Sequence, residues 1–348
     1  MSNTNVYQEL AGRVQMPASR WVPKILAKII TPEEAQIVLE FPLSIPEYAE
    51  KYKVDESEAE RILEEFANKG VCLPLPKDGV VKYCCVSSII QVHDATIHGV
   101  LNKNYDNPPM EIVYMWRDFR ETEWFEMLKL MEQLPPENHG RCIPSWSTVK
   151  DNDELLPVEN LKTIMENAPA IGVVDCPCRW LEVQEGSCKV PTFNCISLTE
   201  KSVKYIVDRK IGKQLTLEEG LKLLEECEEH GLIPTAGRAG QPKNLCMCTV
   251  PECIILRGQV LYGYDLWNRS RFDATVNVDT CDACETCVDR CQFDAISMKD
   301  DAAFVDLEKC FGCGACAVTC DSGALSMNLV RPIEHITKGQ SAPGSLPS

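Results

Sequence analysis

The feature that most constrains this chain is a duplicated cysteine motif in its C-terminal part. Four cysteines follow the spacing C-x2-C-x2-C-x3-C, and four more repeat it 29 residues later: Cys281, Cys284, Cys287 and Cys291, then Cys310, Cys313, Cys316 and Cys320. The residues behind each set repeat as well, as Ala295-Ile296-Ser297-Met298 and Ala324-Leu325-Ser326-Met327. The segment is therefore an internal duplication, and we expect its halves to share one local structure.

The spacing within each set is the one by which cysteine thiolates hold [4Fe-4S] clusters. Three closely spaced cysteines wrap their loop around one cluster, and the fourth crosses to the other cluster. The sequence therefore predicts two interleaved [4Fe-4S] clusters as cofactors. One would bind Cys281, Cys284, Cys287 and Cys320, and the other Cys310, Cys313, Cys316 and Cys291. Zinc on the same eight thiols is the alternative, and the doubled spacing disfavours it.

Residues 275 to 330, which contain these cysteines, resemble the bacterial two-cluster ferredoxin module. A proline commonly follows the fourth cysteine of that module, whereas Gln292 and Asp321 stand at these positions here. Neither residue interferes with ligation. Both can alter the solvent exposure of a cluster and hence its reduction potential.

The chain of 348 residues contains 20 cysteines, which must be disulfides, metal ligands or redox sites. Its first residues lack the basic and apolar stretches of a secretory signal, so we expect a cytoplasmic protein. Disulfides are rare in that compartment, and clustered cysteines there favour metal. No run approaches the roughly 18 apolar residues of a membrane span.

The net charge of -17 argues against nucleic acid as a partner, because nucleic-acid binding depends on Lys and Arg displacing counterions from phosphates. A redox protein or enzyme complex with a basic docking surface fits better. The chain has no glycine-rich dinucleotide motif. A flavin or nicotinamide would therefore belong to a partner, and a flavoprotein is one candidate.

A second group of seven cysteines precedes the ferredoxin-like segment: Cys176, Cys178, Cys188, Cys195, Cys246, Cys248 and Cys253. The first four lie in loops bent by Pro177 and Pro191, which is the count and setting of one metal site. We expect a third [4Fe-4S] cluster there, with structural zinc as the alternative. The last three cysteines would complete that site, hold a further cluster with one outside ligand, or remain free thiols. Arg179 would donate hydrogen bonds to a cluster or pair with a carboxylate.

The other five cysteines read as buried small hydrophobic residues of the core: Cys72, Cys84, Cys85, Cys142 and Cys227. No nucleophile constellation is present, and we name no catalytic residue.

Residues 31 to 95 are predicted to form a winged-helix-like domain. N-cap patterns at Thr31, Ser44 and Asp55 open three helices, and two β-rich runs joined through Lys77-Asp78-Gly79 form the hairpin. The third helix exposes mainly glutamates, which would be repelled by DNA. We therefore expect a docking or structural role for this domain.

The predicted fold class is α+β with several domains. Residues 1–30 would form an N-terminal leader helix or extension, 96–170 a connecting helical region, 171–270 a mixed α/β cysteine-rich middle domain, 271–330 the ferredoxin-like domain and 331–348 a flexible tail. A helix is predicted over residues 121–134 and another over 157–167, followed by a strand over 170–174. A capping box at Thr216 opens a further helix that ends at Gly231.

Taken whole, the chain resembles a family of anaerobe iron-sulfur proteins known mostly as 4Fe-4S binding proteins. The residues that carry the resemblance are Leu156-Pro157, Asp175-Cys176-Pro177-Cys178-Arg179, Cys188, Cys195, Glu218-Glu219-Gly220-Leu221, Cys246-x-Cys248 and the eight ferredoxin-type cysteines. The chain departs from the family after Cys248, where Thr249 to Glu252 replace a denser run of cysteines. The resemblance implies low-potential electron transfer in anaerobic metabolism.

We therefore expect an electron-transfer subunit or partner of an anaerobic oxidoreductase complex. One alternative is a reductase in its own right, with substrate at an incompletely ligated middle-domain cluster. The other is a redox-sensing DNA-binding regulator, which the acidic third helix disfavours. The sequence names neither the electron donor and acceptor nor the oligomeric state.

Overall fold

The computed structural model describes residues 3–77, 79–101, 110–133, 140–237 and 240–337, without the side chains of residues 3–5. The chain is a mixed α/β protein that divides into two compact units. The first comprises Met1–Phe125 with Arg209–Ile211, and the second Glu126–Asp208 with Gly212–Ser348. The six predicted domain ranges stay predictions.

The first unit is mainly helical and carries one hairpin. Its elements are α1 (Asn3–Arg13), α2 (Val22–Ile29), α3 (Pro32–Leu39), α4 (Ile45–Tyr52), α5 (Glu56–Asn68), β1 (Cys72–Lys77), β2 (Val80–Cys85), α6 (Ile89–Leu101) and α7 (Glu111–Thr122). The helix α8 (Trp124–Glu132) spans the division in sequence.

Side-chain caps fix the starts of three of these helices. The hydroxyls of Thr31 and Ser44 and the carboxylate of Asp55 each accept a hydrogen bond from the backbone N–H three residues on. Glu34 and Glu47 bond back to complete capping boxes, as the sequence predicts. The amphipathic α5 buries Leu63 and Phe66, and β1 and β2 pair antiparallel from Cys72 opposite Cys85. The winged-helix assignment stays a prediction, and Asp78 of its turn lies outside the described residues.

The second unit contains a seven-stranded sheet, which we call the middle sheet. Its strands are β3 (Gly140–Cys142), β4 (Ile171–Asp175), β5 (Phe193–Ser197), β6 (Gly212–Leu215), β7 (Ile233–Ala236), β8 (Asn244–Cys248) and β9 (Trp267–Asn268). Their order is β6-β4-β5-β8-β7-β3-β9, and all neighbours pair antiparallel except β3 and β9. The helices between them are α9 (Trp146–Val149), α10 (Leu161–Glu166), α11 (Trp180–Gln184), α12 (Glu200–Asp208), α13 (Leu217–Glu229) and α14 (Leu256–Leu261).

Alternation along the strands separates the two faces of the middle sheet. Ile196 on β5 and Met247 on β8 belong to a buried cluster that also includes Leu161 and Ile164 of α10 and Leu224 of α13. Successive side chains of a strand point to opposite faces. The flanking cysteines of β5 and β8 therefore lie on the face away from this cluster.

The ferredoxin-like segment follows and contains two short two-stranded sheets. The strands β10 (Phe272–Val276) and β13 (Leu325–Leu329) pair antiparallel, as do β11 (Ile296–Lys299) and β12 (Ala302–Val305). The helices α15 (Thr286–Arg290) and α16 (Ala315–Val318) occupy equivalent places in the two repeats, and α17 (Glu334–Thr337) ends the described chain. None of the helices in the described part of the chain has the length and hydropathy of a membrane span.

Most predicted elements of the second unit are present with shifted ends. The strand predicted over 170–174 is β4, and the helix predicted from Thr216 is α13, which ends before Gly231. The helix predicted over 121–134 is α8, which begins at Trp124 and ends at Glu132, while Glu121 and Thr122 belong to the end of α7. Leu134 and residues 338–348 of the predicted tail lie outside the described residues.

Candidate metal centre

One cavity in the ferredoxin-like segment is lined by Cys281, Cys284, Cys287 and Cys320, and we call it the outer cavity. It contains about 330 Å³ of space free of atoms, part of it open to solvent. Cys284 is exposed, Cys281 and Cys320 are half-buried, and Cys287 is buried. Three of these cysteines come from the first repeat and the fourth from the second, so the chain crosses between repeats to close the site.

A second cavity of similar size is lined by Cys291, Cys310, Cys313 and Cys316, and we call it the inner cavity. Apolar side chains surround its thiols, including Phe293 and Phe311, whose rings stack with centroids 4.4 Å apart. Cys310 and Cys316 are buried. Burial raises the pKa of Cys310, of Cys316 and of Cys313, the last to about 12. The two cavities are neighbours, since α15, which carries Cys287, packs against α16, which carries Cys316.

Backbone amides point at the sulfurs of both cavities. Ala303 donates to Cys281 Sγ at 3.5 Å and Leu325 to Cys320 Sγ at 3.4 Å in the outer cavity. Ala295 donates to Cys291 Sγ at 3.3 Å in the inner cavity. Such N–H···S bonds stabilise thiolates and help to set cluster potentials.

The residues present fit [4Fe-4S] clusters. Each cavity offers four thiols around a space, with N–H donors to the sulfurs. Asp282 and Glu285 also line the outer cavity, whereas the described lining of the inner cavity contains no carboxylate. Such a cluster, when bound, supplies a centre that accepts and returns one electron. Among the described residues, no group of three or more His, Cys, Asp or Glu side chains is arranged around a single metal ion.

Residues at the inner cavity form hydrogen bonds with loops next to the middle sheet. The Gln292 side chain accepts from Val250 N at 2.7 Å and donates to Gly231 O at 2.8 Å. Ser145 N donates to Cys313 O at 2.8 Å. Gln292, which stands where the ferredoxin module has proline, therefore has a definite role that its position in the sequence did not reveal.

A row of side chains crosses the cysteine face of the middle sheet. Cys195 pairs with Cys246, Cys246 with Thr235, and Thr235 with Cys142. Directly paired residues share a face, so these three cysteines and the threonine lie side by side. The sequence prediction placed Cys142 in an ordinary core and missed this row, because only the non-local pairing of β3 with β7 creates it.

Four of the seven middle cysteines form a continuous chain of thiol contacts. The Cys246 thiol is hydrogen-bonded with those of Cys195 and Cys248, and the Cys248 thiol with that of Cys253. Thr235 Oγ1 lies 3.4 Å from Cys248 Sγ, and Leu256 N donates to Cys253 Sγ at 3.4 Å. The contact with Cys195, together with burial, raises the pKa of Cys246 well above its ordinary value.

Cys142 connects this group to the inner cavity. Its thiol is buried, and burial together with the charges of Cys313, Cys310 and Cys248 raises its pKa. Cys142 is thus close to thiols of both groups, the inner cavity and the four-thiol group of the middle sheet.

The remaining three middle cysteines have other neighbours. Cys176 and Cys178 are hydrogen-bonded to each other, and this bond, followed by the charge of Arg179, lowers the pKa of Cys176. The Cys188 thiol contacts Glu252. The predicted pairing of Arg179 with a carboxylate is wrong for the described residues, because its guanidinium donates to Thr249 Oγ1, Asn194 Oδ1 and Met247 O.

Part of the ferredoxin-like segment matches a known protein family. The family described as Fer4, 4Fe-4S binding domain, matches residues 303–326, a range that includes Cys310, Cys313, Cys316 and Cys320. No curated protein matches the chain, and no solved structure matches it. The match defines an iron-sulfur protein with at least one [4Fe-4S] cluster and supports electron transfer as its role.

Proposed function

We propose that this chain carries electrons at low potential through two interleaved [4Fe-4S] clusters and a third cluster, as a subunit or partner of an anaerobic oxidoreductase complex. The observation that carries the proposal is the division of eight cysteines into two cavities of four. In each cavity the fourth cysteine comes from the other repeat. This is the ligand arrangement of two-cluster ferredoxins.

The third cluster would bind Cys195, Cys246, Cys248 and Cys253. These four thiols contact one another in sequence across β5, β8 and the loop that follows. Four thiolates complete the ligand set of one [4Fe-4S] cluster. The grouping differs from the one favoured by sequence distance, because strand pairing brings Cys195 to Cys246.

Exposure and contacts give the relay a direction. The outer cavity is the more exposed one. Asp282 and Glu285 line it, and Asp279 and Asp289 are exposed nearby in the sequence. A redox partner with a basic surface, a flavoprotein among the candidates, would exchange electrons there. Electrons would then pass from the outer to the inner cluster, and from the inner cluster past Cys142 to the third cluster.

The predicted winged-helix-like domain would serve docking. Glu56 and Glu60 are exposed on α5, and the exposed Arg61 is paired with Glu58 and Glu65. A DNA backbone would repel this surface. We therefore assign the exposed face of α5 to docking with another protein.

The test is a count of iron, sulfide and zinc in anaerobically purified protein. We expect about 12 irons and as many sulfides, since each [4Fe-4S] cluster supplies about four of each. Cys248→Ala should lower the iron count by about four, whereas Cys227→Ala, a buried cysteine outside all three groups, should leave it unchanged. Stoichiometric zinc with fewer than eight irons would overturn the proposal, and eight irons unaltered by Cys248→Ala would remove the third cluster.

A further inference from the structure

We propose that a cavity beside α13 binds a small aromatic carboxylate. Residues of β4, β5, β6 and α13, and of the turn that follows α13, line this α13 cavity, which contains about 870 Å³ of space free of atoms, part of it open to solvent. The outer and inner cavities contain about 330 Å³ each. Ligand cavities in proteins commonly measure about 300–1,000 Å³. The α13 cavity therefore has the size of a site for a small organic molecule.

The α13 cavity is not a further cluster site. Among its described lining residues Cys227 is the one thiol, whereas the outer and inner cavities have four each. Burial raises the pKa of the Cys227 thiol to about 12, so this thiol stays protonated and is a poor metal ligand. The proposed site is thus independent of the electron transfer proposed above.

The inner wall of the α13 cavity is apolar. Val173, Leu215 and Leu232 are buried, and all three belong to the buried cluster on one face of the middle sheet. The half-buried side chains of Phe193 and Leu223 add to this wall. A ligand with an apolar body would remove this surface from water, which favours binding. The ring of Phe193 favours an aromatic body, because aromatic rings stack on one another.

Exposed charged and polar side chains line the mouth of the cavity, and most of their charges are already engaged. They are Lys213, Glu219, Lys222, Glu226 and His230. Glu226 Oε1 lies 3.8 Å from Lys222 Nζ, so these two charges offset each other. Glu219 accepts a hydrogen bond from Thr216 N at 2.8 Å, and this bond, more than the charge of Lys213, lowers the pKa of Glu219. The acidic groups of the mouth therefore have partners of their own.

Lys213 is positioned to receive an anion. Its Nζ lies 5.7 Å from the centre of the Phe193 ring, and it forms no ion pair with the described residues. An aromatic ring stacked on Phe193 would bring an attached carboxylate to this ammonium group, where a charge-assisted hydrogen bond can form. The chain as a whole has a net charge of -17 and repels anions. An unpaired lysine at the mouth of an apolar cavity therefore creates a local preference for a negative group.

Arg179 adds a second positive charge behind the cavity wall. Its guanidinium donates to Asn194 Oδ1 at 2.6 Å, and Asn194 lines the cavity. The side chain is 1% exposed, its hydrogen bonds go to three neutral oxygens, and its Nε lacks a partner in the described part of the chain. A buried guanidinium without an anionic partner is costly. An anion in the cavity would offset part of this charge.

The first test uses the anaerobically purified full chain and two probes of the same shape. One is 2-naphthoate, which carries a carboxylate, and the other is the neutral 2-naphthamide. Equilibrium dialysis measures both. We expect 2-naphthoate to saturate one site per chain with a Kd below about 1 mM, and 2-naphthamide to bind about fivefold more weakly, the effect of one exposed ion pair. No saturable binding of 2-naphthoate would overturn the site, and equal affinities would overturn its preference for a carboxylate.

The second test removes the unpaired charge with Lys213→Gln, a change at an exposed side chain. We expect the affinity for 2-naphthoate to fall about fivefold and that for 2-naphthamide to stay unchanged. The control is Lys204→Gln on α12, because Lys204 is also exposed but is paired with Asp208 and lies outside the cavity lining. It should change neither affinity. An unaltered affinity for 2-naphthoate in Lys213→Gln would overturn the role of Lys213.

The third test fills the cavity with Leu223→Trp. We expect both probes to bind at least about tenfold more weakly, because the added ring takes the space of the ligand. Circular dichroism and the iron count should match those of the unaltered protein. Unaltered binding of 2-naphthoate by this variant would place the probe elsewhere and overturn the site. If Leu223→Trp does not fold, the exposed Lys213→Gln still decides the question.

Discussion

The outer and inner cavities arise from one duplicated motif and are similar in size, yet they differ in exposure and in their contacts with the rest of the chain. The outer cavity exposes Cys284, whereas the inner cavity buries Cys310 and Cys316. The inner cavity bonds to the middle sheet through Ser145 and Gln292. The difference teaches that a ligand motif defines a cluster type, while the contacts around it determine the role of each copy.

The cysteine loops of the two cavities share one backbone conformation but carry different residues at two positions. The inner loop has Gly312 and Gly314 at positive φ, and the equivalent outer positions are Ala283 and Glu285, also at positive φ. A Cβ at position 312 would overlap Phe272 O, and one at position 314 would meet Thr148 Oγ1 at 2.7 Å. The conformation alone tolerates other residues, so glycine is required in the inner loop by close packing.

The largest expected effect is on the clusters themselves. Cys284→Ala and Cys313→Ala should each lose about four irons, one from the outer cluster and one from the inner. If the fourth ligands cross, the electron paramagnetic resonance spectrum of Cys320→Ala should match that of Cys284→Ala, and the spectrum of Cys291→Ala should match that of Cys313→Ala. The opposite matching would show that each repeat holds its own cluster.

The next largest effect concerns the glycine of the inner loop. Gly312→Ala should destabilise the inner cluster by at least about 2 kcal/mol, because left-handed strain of roughly 1–2 kcal/mol adds to the overlap with Phe272 O. The matched change in the outer loop, Ala283→Gly, should alter stability by less than about 1 kcal/mol. Urea titration followed by cluster absorbance measures both, and equal effects would contradict the packing argument.

A smaller effect is expected at the residue after the fourth cysteine. Gln292→Ala should cost about 1–3 kcal/mol, because Val250 N and Gly231 O lose their partners. The equivalent residue of the other repeat, Asp321, is exposed, and Asp321→Ala should change stability by no more than about 0.5 kcal/mol. Denaturant midpoints of the two variants provide the comparison. A cost as large at Asp321 would remove the special role of Gln292.

The smallest effect is kinetic. Because Cys284 is exposed, an iron chelator should bleach the outer cluster several-fold faster than the inner one in the unaltered protein. The order of bleaching can be assigned by comparison with Cys284→Ala, which lacks the fast phase. Bleaching in a single phase would mean that exposure of the thiols does not govern access.

The sequence predicted local features well. Capping residues such as Thr31 and Thr216 identified helix starts, since a cap depends on residues three positions apart. The cysteine spacing predicted which four thiols lie together in each cavity, because a crossed repeat leaves few other geometries. Whether clusters occupy them stays a prediction.

Features that depend on strand pairing were not predictable. The sequence grouped Cys195 with Cys176 because they are close along the chain, whereas β5 pairs with β8 and brings Cys195 to Cys246. Cys142 was assigned to the core because nothing local marks its place opposite Thr235. The pairing of distant strands depends on the whole sheet, and the spacing of cysteines along the sequence does not predict it.

The crossing of the fourth cysteines also bears on the biosynthesis of the protein. The inner set is complete only when the ribosome has added Cys316, and the outer set only when it has added Cys320. A nascent chain that stalls before residue 316 therefore has neither ligand set complete, although it already contains six of the eight ferredoxin-type cysteines. The four thiols of either cavity can therefore come together only after nearly the entire duplicated segment has been translated, and neither repeat alone supplies all four thiols of a cavity.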